Sequence, residues 1–437
     1  MDWQLALIMM LGIVVVSMFA GMPVVIAFFT ANIVGTWVFK GGDAGLTAMP
    51  FEFQRAISQF SLTPVVLFLL MGELLFHTGV AFRAIGAVDR LISRVPGRLS
   101  VVSIASGTIF SSLSGSTIAN TAILGSVLMP DMVKRGYHPT IAMGPIMATG
   151  GIAMLIPPSA LAVLLASLAE QSIAKLLIAG ILPGVLMALL FLAYVVGRCS
   201  LNPALAPTYD VPPMTTRERW MPFVKYVLPL FSIFVVVVGS IFFKWAAPTE
   251  AAALGCVAAA VACICYRALT WKALKKAMLE TVKINTMIMI IIAGSLTFSQ
   301  VLAISGAVDG LLAQITAFNL TPFIAVVLMM LVLLFLGAFM DQVSMLLLTL
   351  PFFMPFAAAQ GIDALWLMVL MLIVMEISLL TPPFGLLLFV MKGVAPFKTT
   401  LMQVYAAAAP FVVIELFVLA LLILFPSVAL WLPTLID

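Results

Sequence analysis

Apolar stretches of membrane-span length follow one another from end to end of the chain, and this recurrence restricts its fold more than any other feature. A helix crossing the hydrocarbon core needs about 20 mostly apolar residues. Such runs lie near 4–20, 22–40, 56–78, 140–169, 175–197, 223–245, 249–266, 280–303, 364–391 and 403–427. Charged residues make up 9% of the chain, against about 25% in a soluble domain. The runs do not alternate with a period of two, which argues against a β-barrel. The expected class is an all-α polytopic membrane protein. The first run, "WQLALIMMLGIVVVSMFAGMP", has no basic flank and no small-residue cleavage site, so it reads as a retained helix rather than a signal peptide. Cys199, Cys256, Cys263 and Cys265 have the spacing of neither a disulfide framework nor a metal site. The net charge of +4 follows membrane topology and gives no reason to expect nucleic acid as a partner.

Two further apolar stretches, near 99–134 and 319–360, are too long for one helix and are interrupted in the middle by polar residues. Each reads as a re-entrant hairpin. Non-helical backbone at membrane depth is tolerated where protein or a polar cavity covers it. Tracing the chain through these spans puts 17 of the 21 basic residues on one face, Arg83 to Arg98 and Lys272 to Lys283 among them. Lys40, Arg55, Lys175 and Lys244 remain on the other. By the positive-inside rule the richer face is cytoplasmic and both termini are periplasmic. The first hairpin then opens to the cytoplasm and the second to the periplasm.

The two halves match at an offset of 225 residues. Pro23 pairs with Pro248, Met129-Pro130 with Met354-Pro355, Gly136 with Gly361, and Pro157-Pro158 with Pro382-Pro383. A "GAVD" string recurs at 86–89 and 306–309 with a small slip. The expected organisation is a first repeat over 1–198, a polar, proline-rich cytoplasmic linker over 199–222, and a second repeat over 223–437. Each half has an odd number of spans, so the second is inverted. Inverted repeats with broken helices near the midplane are the architecture of secondary transporters.

A helix broken in the membrane frees carbonyls at one half-helix end and amides at the other. Carbonyls and hydroxyls suit a partly dehydrated Na⁺, and amides at a half-helix N-terminus suit an anion. Four breaks can be paired: the tips "SLSGSTIAN" (112–120) and "GAFMDQ" (337–342), and the elbows "TGGIAMLIPPS" (149–159) and "SLLTPPFG" (378–385). Proline pairs leave upstream carbonyls without helical partners. The Na⁺-binding candidates are Ser112, Ser114, Gly115, Gly150, Gly151, Pro157, Gly337, Asp341, Thr381 and Pro382. The substrate-binding candidates are Ser116, Asn120, Thr149, Ser159, Gln342 and Gly385. Asp341 stands out because an intramembrane carboxylate is costly and usually functional; its other reading is a helix N-cap. Glu376 is placed to support the second elbow, whereas Glu73 and Glu415 read as packing or partner contacts. His77 and His138 sit near span ends.

"SLSGST" (112–117), "LIPPSA" (155–160), "APTEAAALG" (247–255) and "LLTPPFG" (379–385), in this order along nearly the whole chain, resemble the large membrane subunit of a tripartite ATP-independent periplasmic (TRAP) transporter. The resemblance implies Na⁺-coupled uptake of a carboxylate by an elevator movement. C4-dicarboxylates, sialic acid and ectoine-like zwitterions are compatible substrates. It also implies a bacterial inner-membrane location, a small four-helix membrane subunit as a separate chain, and a periplasmic substrate-binding protein that delivers the ligand. Ser114, Gly115 and Ser116 would line one ligand surface and Gly337 and Asp341 the other, with Thr381 supplying an oxygen. Asn120 is neutral where the family pattern carries an acidic residue, so a charge-based role does not transfer there. The hairpins and broken helices would move against a scaffold of the remaining spans, with 80–98 and 304–318 as interfacial arms. The Na⁺ gradient would supply the energy, since no Walker-type GxxxxGK[ST] run is present. The alternative is a stand-alone Na⁺/dicarboxylate symporter. An intramembrane serine hydrolase or a structural scaffold fits the paired breaks poorly.

Overall fold

The computed structural model describes residues 2–92, 95–114, 117–207, 214–383, 385–396 and 398–435, with the side chains of residues 19 and 112–114 outside the description. Its elements are helices, with no strand among the described residues. Among these residues, seven helical segments are long and apolar enough to cross a membrane: Phe60–His77, Ile173–Leu201, Thr216–Phe242, Pro248–Cys265, Trp271–Ile304, Gln342–Ala359 and Leu401–Leu424. Trp3–Phe19, Val24–Phe39, Pro322–Gly337 and Ala364–Leu380 are shorter apolar helices.

The order of elements follows the 225-residue offset closely. Thr117–Lys134 corresponds to Gln342–Ala359, and Ala160–Leu168 to Leu386–Val394. Gly136 and Gly361 both adopt a left-handed φ, +74° and +67°, in the turn that leaves each hairpin. His138 and Asp363 occupy matching N-cap positions of the helices that follow. Pro157-Pro158 and Pro382-Pro383 are both cis.

One span differs between the halves. The run near 56–78 is the apolar segment Phe60–His77, preceded by a separate amphipathic helix, Asp43–Ile57. Its counterpart is the single helix Trp271–Ile304. The polar residues Ser58, Gln59 and Ser61 fall at the join, and Pro64 starts the second piece at a position where its missing N–H costs nothing. Lys40 pairs with Glu52 at 2.8 Å and ties the amphipathic piece to the preceding helix.

The helices sort into two groups. Trp3–Phe19, Val24–Phe39, Thr63–His77, Leu228–Phe242, Pro248–Cys265 and Trp271–Ile304 pack on one another. Small residues set the spacing: Asn32 donates to the Gly294 carbonyl at 2.6 Å, and Gly255 admits the Met71 sulfur. The second group contains the hairpins Arg98–Ser114/Thr117–Lys134 and Pro322–Gly337/Gln342–Ala359, with the broken segments Pro139–Gly151/Ala160–Leu168 and Ala364–Leu380/Leu386–Val394. It also takes in Ile181–Leu201 and Leu401–Leu424, which the sequence reading assigned to the scaffold. The reason is close packing: Gly144 sits against Phe411 and the Ala407 carbonyl, and Phe411 meets Phe191 and Tyr194 edge-on.

Separate helices Val80–Leu91 and Ala307–Ala317 fill the two arm regions, each entered through a left-handed glycine, Gly79 or Gly306. The first is held at its end by Arg98, which pairs with Asp89 at 2.9 Å and donates to the Ile92 carbonyl at 2.6 Å. Burial raises the Asp89 carboxyl above its ordinary range, and the Arg98 charge opposes that rise. Between the two groups lie cavities of about 250 Å³, bordered by Ser295, Ser299, Glu170 and Pro351, and about 620 Å³, bordered by Leu312, Leu328 and Phe352.

Gly180 holds the first elbow in place. A Cβ there would lie 2.2 Å from the Leu155 carbonyl oxygen, and a backbone atom cannot move aside cheaply. Gly180→Ala is expected to destabilise the protein by about 1–3 kcal/mol, read as a lower thermal unfolding midpoint in detergent. An unchanged midpoint would show that this approach is not rigid.

Candidate ion and substrate site

The first elbow begins where Pro139–Gly151 ends, and its last carbonyls lose their helical partners. The carbonyl of Thr149 is taken up by the first hairpin. It accepts the Ser111 hydroxyl at 2.8 Å and the Asn120 amide at 3.1 Å. Asn120 Nδ2 also donates to Ser111 Oγ at 2.5 Å and the Gly107 carbonyl at 3.2 Å. Three acceptors around the nitrogen fix which way the amide points. Asn120 Oδ1 is therefore aimed away from them; it is buried and has no hydrogen-bond partner among the described residues, and the same holds for Thr121 Oγ1. Gly150 lies directly against Thr121: a Cβ on it would sit 2.2 Å from Thr121 Oγ1 and 3.2 Å from the Thr117 carbonyl. The Thr149 hydroxyl is spent on the Pro145 carbonyl at 2.8 Å.

Unpartnered buried oxygens cost free energy unless something occupies them. An amide oxygen and a hydroxyl with no donor facing them among the described residues suit a hard cation such as Na⁺. The donor set at Gly150 therefore fits the expected cargo ion.

The second elbow is arranged differently. Thr381 Oγ1 donates to the Ile377 carbonyl at 2.7 Å, and Ser378 Oγ to the Met375 carbonyl at 2.7 Å. The freed carbonyl of Ile377 is thus satisfied locally rather than by the hairpin. Gly337 packs against Ser378, where a Cβ would lie 2.3 Å from the Ser378 Cβ. Pro157 and Ser159 are buried, whereas Pro382 and Pro383 are exposed and Thr381 is half-buried. The two elbows share a backbone plan but not an environment.

Asp341 is the N-cap of Gln342–Ala359: Oδ1 accepts the Ser344 amide at 3.1 Å, and the Ser344 hydroxyl donates to Oδ2. It stands exposed at the hairpin tip. Both a cap and an ion ask this position for an oxygen rather than for a charge. Asp341→Asn is therefore expected to keep Na⁺-dependent uptake within about twofold, whereas Asp341→Ala loses a cap of about 1 kcal/mol and several-fold in uptake. Equal loss in both variants would assign the effect to the charge.

Gln342 links the halves. Its Nε2 reaches Met154 Sδ at 3.5 Å in the first elbow and the Met375 carbonyl at 3.4 Å ahead of the second. Gly151 meets Glu376, whose Cγ would lie 2.4 Å from a Cβ on the glycine. Ser159 caps Ala160–Leu168, its Oγ accepting the Ala162 amide at 3.2 Å. Gly385 begins Leu386–Val394, against the carbonyls of Leu379 and Thr381. Gly115 and Ser116 lie outside the described residues, as do the side chains of Ser112 and Ser114. Helix runs to Ser114 and resumes at Thr117, so the hairpin tip is shorter than "SLSGSTIAN" and Asn120 is helical. Ser106 in the same helix bonds back to the Val102 carbonyl, so its hydroxyl is satisfied within the helix.

Sequence reasoning missed Ser111 and Thr121, which flank the tip, and it missed Ser378 as the seat of Gly337. The hydroxyl-rich stretch 111–126 held the signal for the first two, but their partners are long-range.

The chain matches the family model for the DctM component of tripartite ATP-independent periplasmic transporters over residues 11–428. It is 33% identical over 379 residues to the C4-dicarboxylate TRAP transporter large permease protein DctM of Pseudomonas aeruginosa, covering 86% of each chain. It is 30% identical to the sialic acid TRAP transporter large permease protein SiaM of Vibrio cholerae, covering 96% of each. Among solved structures it is similar in fold to the Alcanivorax borkumensis YdaH transporter, with a TM-score of 0.64 at 13% identity over 88% of this chain and 89% of that one. The hairpins, the paired elbows and the match over nearly the whole length lead to one conclusion: the chain belongs to the DctM component family of tripartite ATP-independent periplasmic transporters.

Proposed function

We propose that this large permease takes up a small organic acid in symport with Na⁺, receiving it from a periplasmic binding protein and working with a separate small membrane subunit. The observation that carries the reading is the presence, on successive residues of the first hairpin, of two buried oxygens without a partner among the described residues, Asn120 Oδ1 and Thr121 Oγ1, the second of them against Gly150. Na⁺ bound there would tie Thr117–Lys134 to the first elbow. In this reading the ion favours the arrangement that accepts the carboxylate, and coupling follows because each ligand prefers the same state. The names of relatives point to C4-dicarboxylates or sialic acid as the substrate class. The 225-residue correspondence supports two inverted repeats, 1–198 and 223–437, joined by the linker 199–222. The division into two helix groups with cavities along the seam supports an elevator, in which the hairpin group slides against the other. The charge asymmetry supports periplasmic termini and an inner-membrane location.

The test is uptake of labelled organic acids into proteoliposomes holding this chain and its small subunit, with and without an inward Na⁺ gradient and the binding protein. The reading expects uptake only when both are present. Uptake with Na⁺ but without the binding protein would replace it with a stand-alone symporter.

A further inference from the structure

Serine side chains cross the seam between the two helix groups from both sides. Ser295, on the scaffold helix Trp271–Ile304, donates its hydroxyl to the Leu347 carbonyl of the second hairpin at 2.9 Å. Ser167, on Ala160–Leu168 of the hairpin group, donates to the Ser61 carbonyl at 2.9 Å. Ser61 lies in the short turn Phe60–Leu62 that leads into the scaffold helix Thr63–His77. Both donors are buried, Ser295 at 2% exposure and Ser167 at 7%.

The sequence explains why the Leu347 carbonyl is available. Pro351 stands four residues further along Gln342–Ala359 and has no N–H to give it. A carbonyl without its helical partner is costly away from water, so a donor on a neighbouring helix gains by reaching it. A serine in an apolar helix can instead bond back to a carbonyl in its own preceding turn. Ser299 does so, donating to the Ser295 carbonyl at 3.0 Å. Ser295, one turn earlier on the same helix, directs its hydroxyl across the seam.

The two crossing bonds flank one opening. The cavity of about 250 Å³ between the groups is bordered by Ser295 and Ser299 from the scaffold, by Leu347 and Pro351 from the second hairpin, and by Leu168, the neighbour of Ser167. Close packing therefore does not hold this part of the seam without help from the hydrogen bonds. Such a bond fails once donor and acceptor part beyond about 3.5 Å. Neither outlasts a slide of one helical turn, about 5.4 Å.

We propose that Ser295 and Ser167 are positioning residues that latch the hairpin group to the scaffold in the arrangement seen here and must let go before that group slides. The proposal rests on the elevator reading given above. Both serines stand outside the candidate ion and substrate site, and they act on the balance between the two arrangements. Each bond is worth about two- to tenfold in that balance.

The experiment measures the distance between spin labels at two exposed positions of the complete transporter in nanodiscs. One is Trp245, which follows the scaffold helix Leu228–Phe242. The other is Leu435, which follows Ser427–Thr434, a helix packed on Ile181–Leu201 of the hairpin group. Unnatural ketone side chains carry the labels, so the exposed thiol of Cys265 stays unlabelled. Spectra are recorded with and without Na⁺ and a C4-dicarboxylate or sialic acid. The native protein is expected to show two distances. Ser295→Ala and Ser167→Ala should each shift their ratio about two- to tenfold away from the arrangement seen here, and the double variant further. Ser299→Ala borders the same cavity but loses only a bond inside its own helix, so it should leave the ratio unchanged. A bond that served stability alone would lower the thermal midpoint and not move the ratio. Two distances in the same ratio in the native protein and in both latch variants overturn the proposal and leave the elevator reading standing. A shift in Ser299→Ala as large as that in Ser295→Ala overturns it too. A single distance under every condition removes the elevator reading, and the latch with it.

Discussion

Asn120→Leu is expected to cut Na⁺-dependent uptake by at least about tenfold. Leucine has the heavy-atom count and branching of asparagine, so the hairpin keeps a side chain of the same shape. The variant loses the two amide hydrogens that Gly107, Ser111 and Thr149 share as acceptors. Each hydrogen bond is worth about 0.5–1.5 kcal/mol net, and leaving a buried carbonyl short of a donor costs more. About 1.4 kcal/mol is already a factor of ten in an equilibrium constant. The neighbouring change Thr121→Val separates ion binding from packing. The Thr121 hydroxyl is buried and unpartnered, so a methyl in its place should hold or raise the thermal midpoint of the protein without Na⁺. The same change should weaken Na⁺ affinity several-fold, because one of the facing oxygens is gone. If Thr121→Val stabilises the protein and leaves Na⁺ affinity intact, the cluster serves packing.

Gly337→Ala is expected to lose most uptake, because the added Cβ would lie 2.3 Å from the Ser378 Cβ. Both atoms are fixed to backbone on tightly packed helices, so the first helix of the second hairpin must tilt or shift. Overpacking of this kind costs about 1–3 kcal/mol. Ser378→Gly removes the opposing atom and should restore uptake in the double variant. Rescue of that kind shows that the close approach of hairpin and elbow matters, rather than the flexibility of a glycine. A double variant as inactive as Gly337→Ala would place the defect elsewhere.

Much of this architecture was legible in the residues because a membrane chain announces its helices and its breaks. The proline pairs at 157–158 and 382–383 mark both elbows, and the 225-residue offset aligns the helices that follow them. What stayed hidden depends on long-range contact. Nothing local in "SGSTIAN" says that Asn120 reaches the Thr149 carbonyl. The unequal exposure of the elbows is likewise invisible, since Pro157 and Pro382 sit in similar motifs but only the first is enclosed. The break between Asp43–Ile57 and the span that follows it falls at Ser58, Gln59 and Ser61, polar residues that a hydrophobic average absorbs. Asp341 drew attention as a buried charge, yet it caps a helix at an exposed tip. A carboxylate in an apolar run is conspicuous whichever role it serves.

The most direct test of the account is a two-label flux measurement on the complete transporter in liposomes, following radiolabelled Na⁺ and the labelled organic acid together after the binding protein is added. The account predicts that Na⁺ enters in fixed proportion to the acid, that neither enters alone, and that Asn120→Leu lowers both fluxes in step. Entry of the acid with no accompanying Na⁺ would contradict it.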